Sequence, residues 1–170
     1  MVNPGKIVLI AAFTVLAALP VFSQSDVFSD ANVDYSFTLP DSGWKMTVKP
    51  SSTSPNVEYV YNERHQGLLE IRKLPVGNTA SISDVIREEE TKLQFRPGYV
   101  AGKEESFTGN LKGGIFNYEF IQAGRNMGGR FYFLRANDST VYVLRFTGER
   151  DKLKSLRNQT DSIARTFRIK

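Results

Sequence analysis

Apolar and polar residues alternate in short runs along most of the chain. Tyr35-Ser-Phe-Thr-Leu39 and Trp44-Lys-Met-Thr-Val48 each read as a strand, separated by the turn Pro40-Asp-Ser-Gly43. Val57–Tyr61 and Leu68–Leu74 form a hairpin around Asn62-Glu-Arg-His-Gln-Gly67. After Pro75 and Gly77 the period changes. Ile82, Val85, Ile86 and Leu93 fall near one face of a helix over 82–95, capped by Ser81 or Ser83 and stopped by Arg96-Pro97-Gly98. Glu88, Glu89 and Glu90 read as its exposed stretch. Tyr99–Thr108 is a polar strand suited to a sheet edge. Phe116, Tyr118 and Phe120 alternate with polar neighbours, and Arg130–Arg135 and Val141–Phe146 complete a meander joined by Gly- and Asn-rich turns.

Two of these strands are apolar on both sides. Phe131 and Phe133 face one way and Tyr132 and Leu134 the other; Val141 and Val143 oppose Tyr142, Leu144 and Phe146. An antiparallel sheet wetted on one face has no use for such strands, so both faces need a cover. Two helices can supply it. The second spans about 150–165, with Leu153, Leu156, Thr160, Ile163 and Phe167 on one stripe. The expectation is an α+β fold: an antiparallel sheet of about six or seven strands with helices on both faces, an α/β/α sandwich.

The N-terminus departs from this pattern. After Lys6, the 16 residues Ile7–Phe22 are uncharged and almost wholly apolar. About 20 apolar residues are needed to cross a bilayer comfortably. Residues 1–23 therefore read as a secretory signal, with cleavage after Ser23 and removal expected rather than anchoring. Residues 24–32 are a short polar lead-in, and residues 33–170 form one domain that is periplasmic or secreted. A monomer is expected.

Composition narrows the chemistry. The 170 residues contain no cysteine and one histidine, His65. That excludes disulfides, thiolate zinc sites, a cysteine nucleophile and a multi-histidine metal centre. His65 sits in a hairpin loop, and no Gly-x-Ser-x-Gly elbow accompanies it. Consecutive acids such as Glu104-Glu105 read as solvated rather than as a glycosidase pair. No phosphate-binding loop or calcium loop occurs. The aromatic run Phe131–Leu134 reads as core, so no nucleic-acid partner is expected, and no cofactor is expected either.

Charge is unevenly distributed. Residues 24–105 carry 9 basic and 13 acidic side chains, and residues 106–170 carry 12 and 5. The basic second half suits an anionic partner. Arg150, Lys152, Lys154, Arg157 and Arg165, on the last helix, are the candidate surface for it.

Tyr35-Ser-Phe-Thr-Leu-Pro40-Asp-Ser-Gly43-Trp44, an aromatic strand entering a Pro-x-x-Gly-Trp turn, resembles the PsbP-like family, which includes DcrB-like bacterial periplasmic proteins. The ending Asp161-Ser-Ile-Ala-Arg-Thr-Phe167 is similar to that family's Ile-x-x-Ser/Thr-Phe finish. The resemblance covers about residues 33–170. It implies the same α/β/α sandwich and a non-enzymatic binding or assembly factor acting on an envelope or membrane-associated partner. It transfers Pro40, Gly43 and Trp44 only as fold positions: Pro fixes φ, Gly permits a positive φ, and Trp buries a large apolar surface. The alternative is a carrier of a small hydrophobic ligand or lipid, with a pocket between sheet and helix.

Overall fold

The computed structural model describes residues 26–170; the expected signal segment, residues 1–23, lies outside the described residues. The strands are β1 (Asp26–Ser29), β2 (Tyr35–Leu39), β3 (Trp44–Val48), β4 (Val57–Tyr61) and β5 (Leu68–Pro75). Helix α1 (Ile82–Leu93) precedes β6 (Val100–Thr108), β7 (Lys112–Gln122), β8 (Arg125–Asn137) and β9 (Thr140–Glu149). Helices α2 (Arg150–Ser155) and α3 (Arg157–Thr166) and strand β10 (Arg168–Ile169) close the chain. Seven strands form one antiparallel sheet in the order β3-β4-β5-β9-β8-β7-β6.

The sheet carries a core on each face. On one face lie Tyr132, Leu134, Tyr142, Leu144 and Phe146, packed with Leu153, Leu156, Ile163 and Phe167. On the other lie Phe131, Phe133, Val141 and Val143, packed with Val85, Ile86 and Leu93 of α1. The two-faced pattern of β8 and β9 is realised directly, with the helices on opposite sides. β6, exposed at all but one position, lies at the sheet edge as its polarity predicts.

Several details differ from the sequence reading. β2 does not join the large sheet. It pairs with β1 and β10 in a second, three-stranded sheet. Part of the polar lead-in is thus a strand, and it buries Phe28 against Phe37 at a ring separation of 4.8 Å. This small sheet shares the cover of one face with α2 and α3. The last helix is also two helices, broken at Leu156, whose φ of −86° and ψ of 3° leave the helical range. The apolar stripe survives the break.

Local chemistry sets the ends of α1. The Ser81 side chain accepts from the Asp84 amide at 3.1 Å, and the Asp84 carboxylate accepts from the Ser81 amide at 2.9 Å. This reciprocal cap satisfies two otherwise orphaned donors. Glu89 is not solvent-facing: only 4% of it is exposed, on the same stripe as Val85, Ile86 and Leu93. Arg72 at 2.9 Å and Lys92 at 2.6 Å neutralise it.

The Pro40–Gly43 turn is present, but Gly43 is not among the glycines with positive φ. A Cβ there would approach the Tyr61 ring to 2.5 Å, so the position needs a small residue for space. Trp44 is buried, and its indole N–H donates to Gln159 of α3 at 2.8 Å. A second polar tie joins α3 to the sheet. Buried Arg130 donates to Tyr132 at 2.6 Å, Asn117 at 2.8 Å and Asp161 at 2.9 Å. Each of the three guanidinium nitrogens so finds an acceptor, as a buried charge requires.

Candidate functional site

Arg150, Lys152, Lys154, Arg157 and Arg165 are all exposed. The structure brings some of them together. Arg150, Lys154 and Arg157 line a groove of about 300 Å³ between α2 and the β6–β7 edge. The groove has acidic members as well. Glu119 lies 3.5 Å from Arg150 and Glu105 lies 3.9 Å from Arg157. Lys152 lines a neighbouring hollow with Arg125, Asn126, Arg150 and Asp151. Arg165 stands apart at the other end of β6, donating to the Thr108 carbonyl at 2.9 Å with its guanidinium 5.6 Å over the Phe107 ring. Four of the five residues thus follow one another along α2 and the start of α3.

A second site lies on the opposite face, where the sheet outruns its cover. α1 has 12 residues, about 18 Å of helix. β8 has 13 residues, about 43 Å of strand. Beyond the C-terminal end of α1 the sheet floor is open, and a cleft of about 540 Å³ occupies the space. Leu68, Phe120 and Met127 give it an apolar floor. Four arginines line it, each from a different part of the chain: Arg64 from the β4–β5 loop, Arg96 from the segment after α1, Arg125 at the start of β8, and Arg145 within β9.

These arginines are held in different ways. Arg145 donates through Nε to the Tyr118 hydroxyl at 3.2 Å, and its Nη1 lies 3.4 Å from Glu70. Its guanidinium also sits 5.5 Å over the Phe131 ring. Tyr118 does not itself line the cleft; its neighbour across the ladder is Gly129, where a Cβ would overlap the phenol ring, so the ring needs a glycine at that position. Burial raises the Tyr118 pKa above the ordinary phenol value, with the Arg145 charge working against the rise. Arg125 pairs with Glu149 at 2.9 Å and Arg64 with Glu58 at 3.4 Å. Arg96 stacks on Phe120 at 4.6 Å and makes no ion pair with a carboxylate of the described residues. The lining includes one carboxylate, Glu70, against four guanidiniums.

His65 also lines this cleft, with its Nδ1 3.3 Å from Glu63. Its backbone carbonyl accepts from the Glu149 amide at 2.7 Å, which fixes the loop against the β9–α2 junction. The one hydroxyl-bearing side chain lining the cleft is that of Thr147. The arginine cluster escaped the sequence reading because its members lie 20 to 32 positions apart. One signal was present: Arg145 interrupts the otherwise apolar run Val141–Phe146 of a strand that is buried on both faces.

No protein-family model matches the chain. No curated protein sequence matches it either. Solved structures do resemble it. The Ran-binding protein Mog1p of Saccharomyces cerevisiae aligns with a TM-score of 0.62 at 10% identity, over 87% of this chain and 96% of that one. The cyanobacterial PsbP protein of Synechocystis aligns with a TM-score of 0.58 at 15% identity, over 91% and 98%. LpqN of Mycobacterium tuberculosis, involved in cell envelope biogenesis, aligns with a TM-score of 0.56 at 13% identity, over 86% of each chain. At these identities the likeness is one of fold: the chain has the PsbP-like fold.

Proposed function

We propose that this protein is a non-enzymatic binding or accessory protein that acts through its surface, outside the cytosol, on an anionic partner of the cell envelope. The observation that carries this reading is the succession of exposed cations along α2 and α3, with Arg150, Lys154 and Arg157 on one groove. Oriented basic side chains over a groove speed and orient the approach of an acidic partner. Two structural neighbours support it by analogy, one described as Ran-binding and one as involved in cell envelope biogenesis. The expected signal segment supports the compartment. Residues 33–170 act as one unit, and the protein works as a monomer.

A carrier of apolar ligands would need room between sheet and helix. There Leu144, Phe146, Ile163 and Phe167 are each 0% exposed and belong to one packed cluster. No helix among the described residues is long and apolar enough to cross a membrane.

Crosslinking in intact cells tests the reading. The wild-type protein should capture a specific envelope partner, and the triple variant Arg150→Glu, Lys154→Glu, Arg157→Glu should lose it while keeping its thermal midpoint. Recovery of the same partner by the triple variant would overturn the assignment of the surface.

A further inference from the structure

We propose that the arginine-lined cleft beyond the end of α1 binds a phosphate monoester whose organic part is apolar or aromatic. This site lies on the other face of the sheet from the α2–α3 groove and does not depend on it. Three observations converge. First, the cleft is concave and about 540 Å³ in volume, within the range of small-molecule sites, roughly 300 to 1,000 Å³. Second, its lining carries four guanidiniums, Arg64, Arg96, Arg125 and Arg145; Glu58, Glu149 and Glu70 pair with Arg64, Arg125 and Arg145, which leaves Arg96 as the cation in excess. Third, its floor is apolar, formed by Leu68, Phe120 and Met127.

The arrangement selects the anion. A planar carboxylate is satisfied by one bidentate guanidinium. Here the guanidiniums come from four separate segments, which suits a tetrahedral group presenting several oxygens in different directions. A phosphate monoester also carries close to two charges at neutral pH, so it gains more than a carboxylate from a site of excess positive charge. Two arginines are held by aromatic rings. Arg96 lies 4.6 Å over Phe120 and Arg145 lies 5.5 Å over Phe131. Stacking restricts these side chains before the ligand arrives, which lowers the ordering cost of binding. Arg96 has no carboxylate of the described residues to release, and it stands directly over the ring that floors the cleft. It is therefore the residue on which affinity depends most. The organic part of the ester would lie along the apolar side of the cleft, against the edges that Leu68, Phe120 and Met127, themselves largely buried, present to it.

Calorimetric titration of the full chain with phenyl phosphate tests this, with inorganic phosphate and benzyl alcohol as comparison probes. The expected result is saturable binding of phenyl phosphate, tighter than either comparison probe. Arg96→Gln should weaken it about tenfold or more, the loss of one charge-assisted contact. Lys154→Gln, in the other groove, should leave it unchanged. Vesicles of phosphatidylcholine with and without phosphatidic acid identify the source of the group. Retention on the phosphatidic acid vesicles alone, abolished by Arg96→Gln, assigns it to a lipid headgroup. Phenyl phosphate binding without vesicle binding assigns it to a free ester. Failure to bind both phenyl phosphate and the acidic vesicles overturns the proposal. So does binding unchanged in an Arg96→Gln, Arg125→Gln double variant that keeps its thermal midpoint, or benzyl alcohol binding as tightly as phenyl phosphate.

Discussion

The two faces of the large sheet are built from similar strands and finished differently. One is closed by α2, α3 and the three-stranded sheet, with Tyr132, Leu144, Phe146, Ile163 and Phe167 all at 0% exposure. The other is covered by one helix that stops short, leaving Phe120 and Met127 to floor an open cleft. The strands themselves do not dictate this, since β8 and β9 send apolar residues to both sides. The difference lies in how much cover the rest of the chain supplies. Where cover is complete, side chains serve stability. Where it ends, charged residues occupy the sheet surface: Arg145 replaces the valines of the α1-covered stretch, two residues beyond Val143 on the same face of β9.

The largest expected contrast is in the cost of truncating aromatic rings. Phe146→Ala on the closed face leaves a cavity between Trp44 and Tyr132 and should cost about 3–5 kcal/mol. Phe120→Ala in the cleft floor should cost less, about 2 kcal/mol, because water fills the space from the open side. Urea denaturation of both variants measures the difference, and equal losses would break the distinction between the faces.

The next effect concerns how α1 is held. Burial raises the Glu89 pKa, but the hydrogen bond from Lys92 and the charge of Arg72 outweigh it, so the carboxyl lies below its ordinary value of 4.5. A depressed folded-state pKa contributes stability that is present above the unfolded value and is lost as pH falls through the folded one. Glu89→Gln should lower stability by about 1–2 kcal/mol at pH 7, leaving Arg72 and Lys92 without their partner. It should also flatten the acid side of the stability profile below pH 4.5. Thermal midpoints between neutral and acidic pH would show this, and parallel profiles for variant and wild type would contradict it.

The smallest effect has the opposite sign. The Tyr35 hydroxyl is buried without a hydrogen-bond partner among the described residues. Removing an unsatisfied buried hydroxyl while keeping the ring is neutral to favourable, so Tyr35→Phe should raise stability by up to about 1 kcal/mol. A loss of stability on denaturation would show that the closed face is not dry at this point.

Much of this architecture was legible in the chain. The opposed residues of Phe131–Leu134 and Val141–Phe146 required a sheet covered twice, and the stripe Leu153, Leu156, Thr160, Ile163, Phe167 marked one cover. The pairing of β2 was not legible, because alternation specifies the face a residue points to and not the strand it pairs with. β1 and β10 were too short to signal themselves, at four and two residues. Glu89 was hidden by its neighbours. Three glutamates in a row look solvated, yet position 89 continues the spacing of Val85, Ile86 and Leu93. The basic residues of α2 and α3 could be read because they are close in sequence. The arginines of the cleft could not, because only the strand order brings them together.

The central claim is that small-ligand recognition belongs to the part of the sheet left uncovered beyond α1, while the packed interior of the closed face serves the fold and only the outer cations of α2 and α3 meet a partner. Amide chemical shifts recorded while phenyl phosphate is added measure this most directly. The account predicts shifts confined to Arg96, Phe120, Arg125, Met127, Arg145 and Thr147 and their immediate neighbours, with Tyr132, Leu144 and Ile163 unmoved. Shifts centred on Leu153–Phe167, or none at saturating probe, would contradict it.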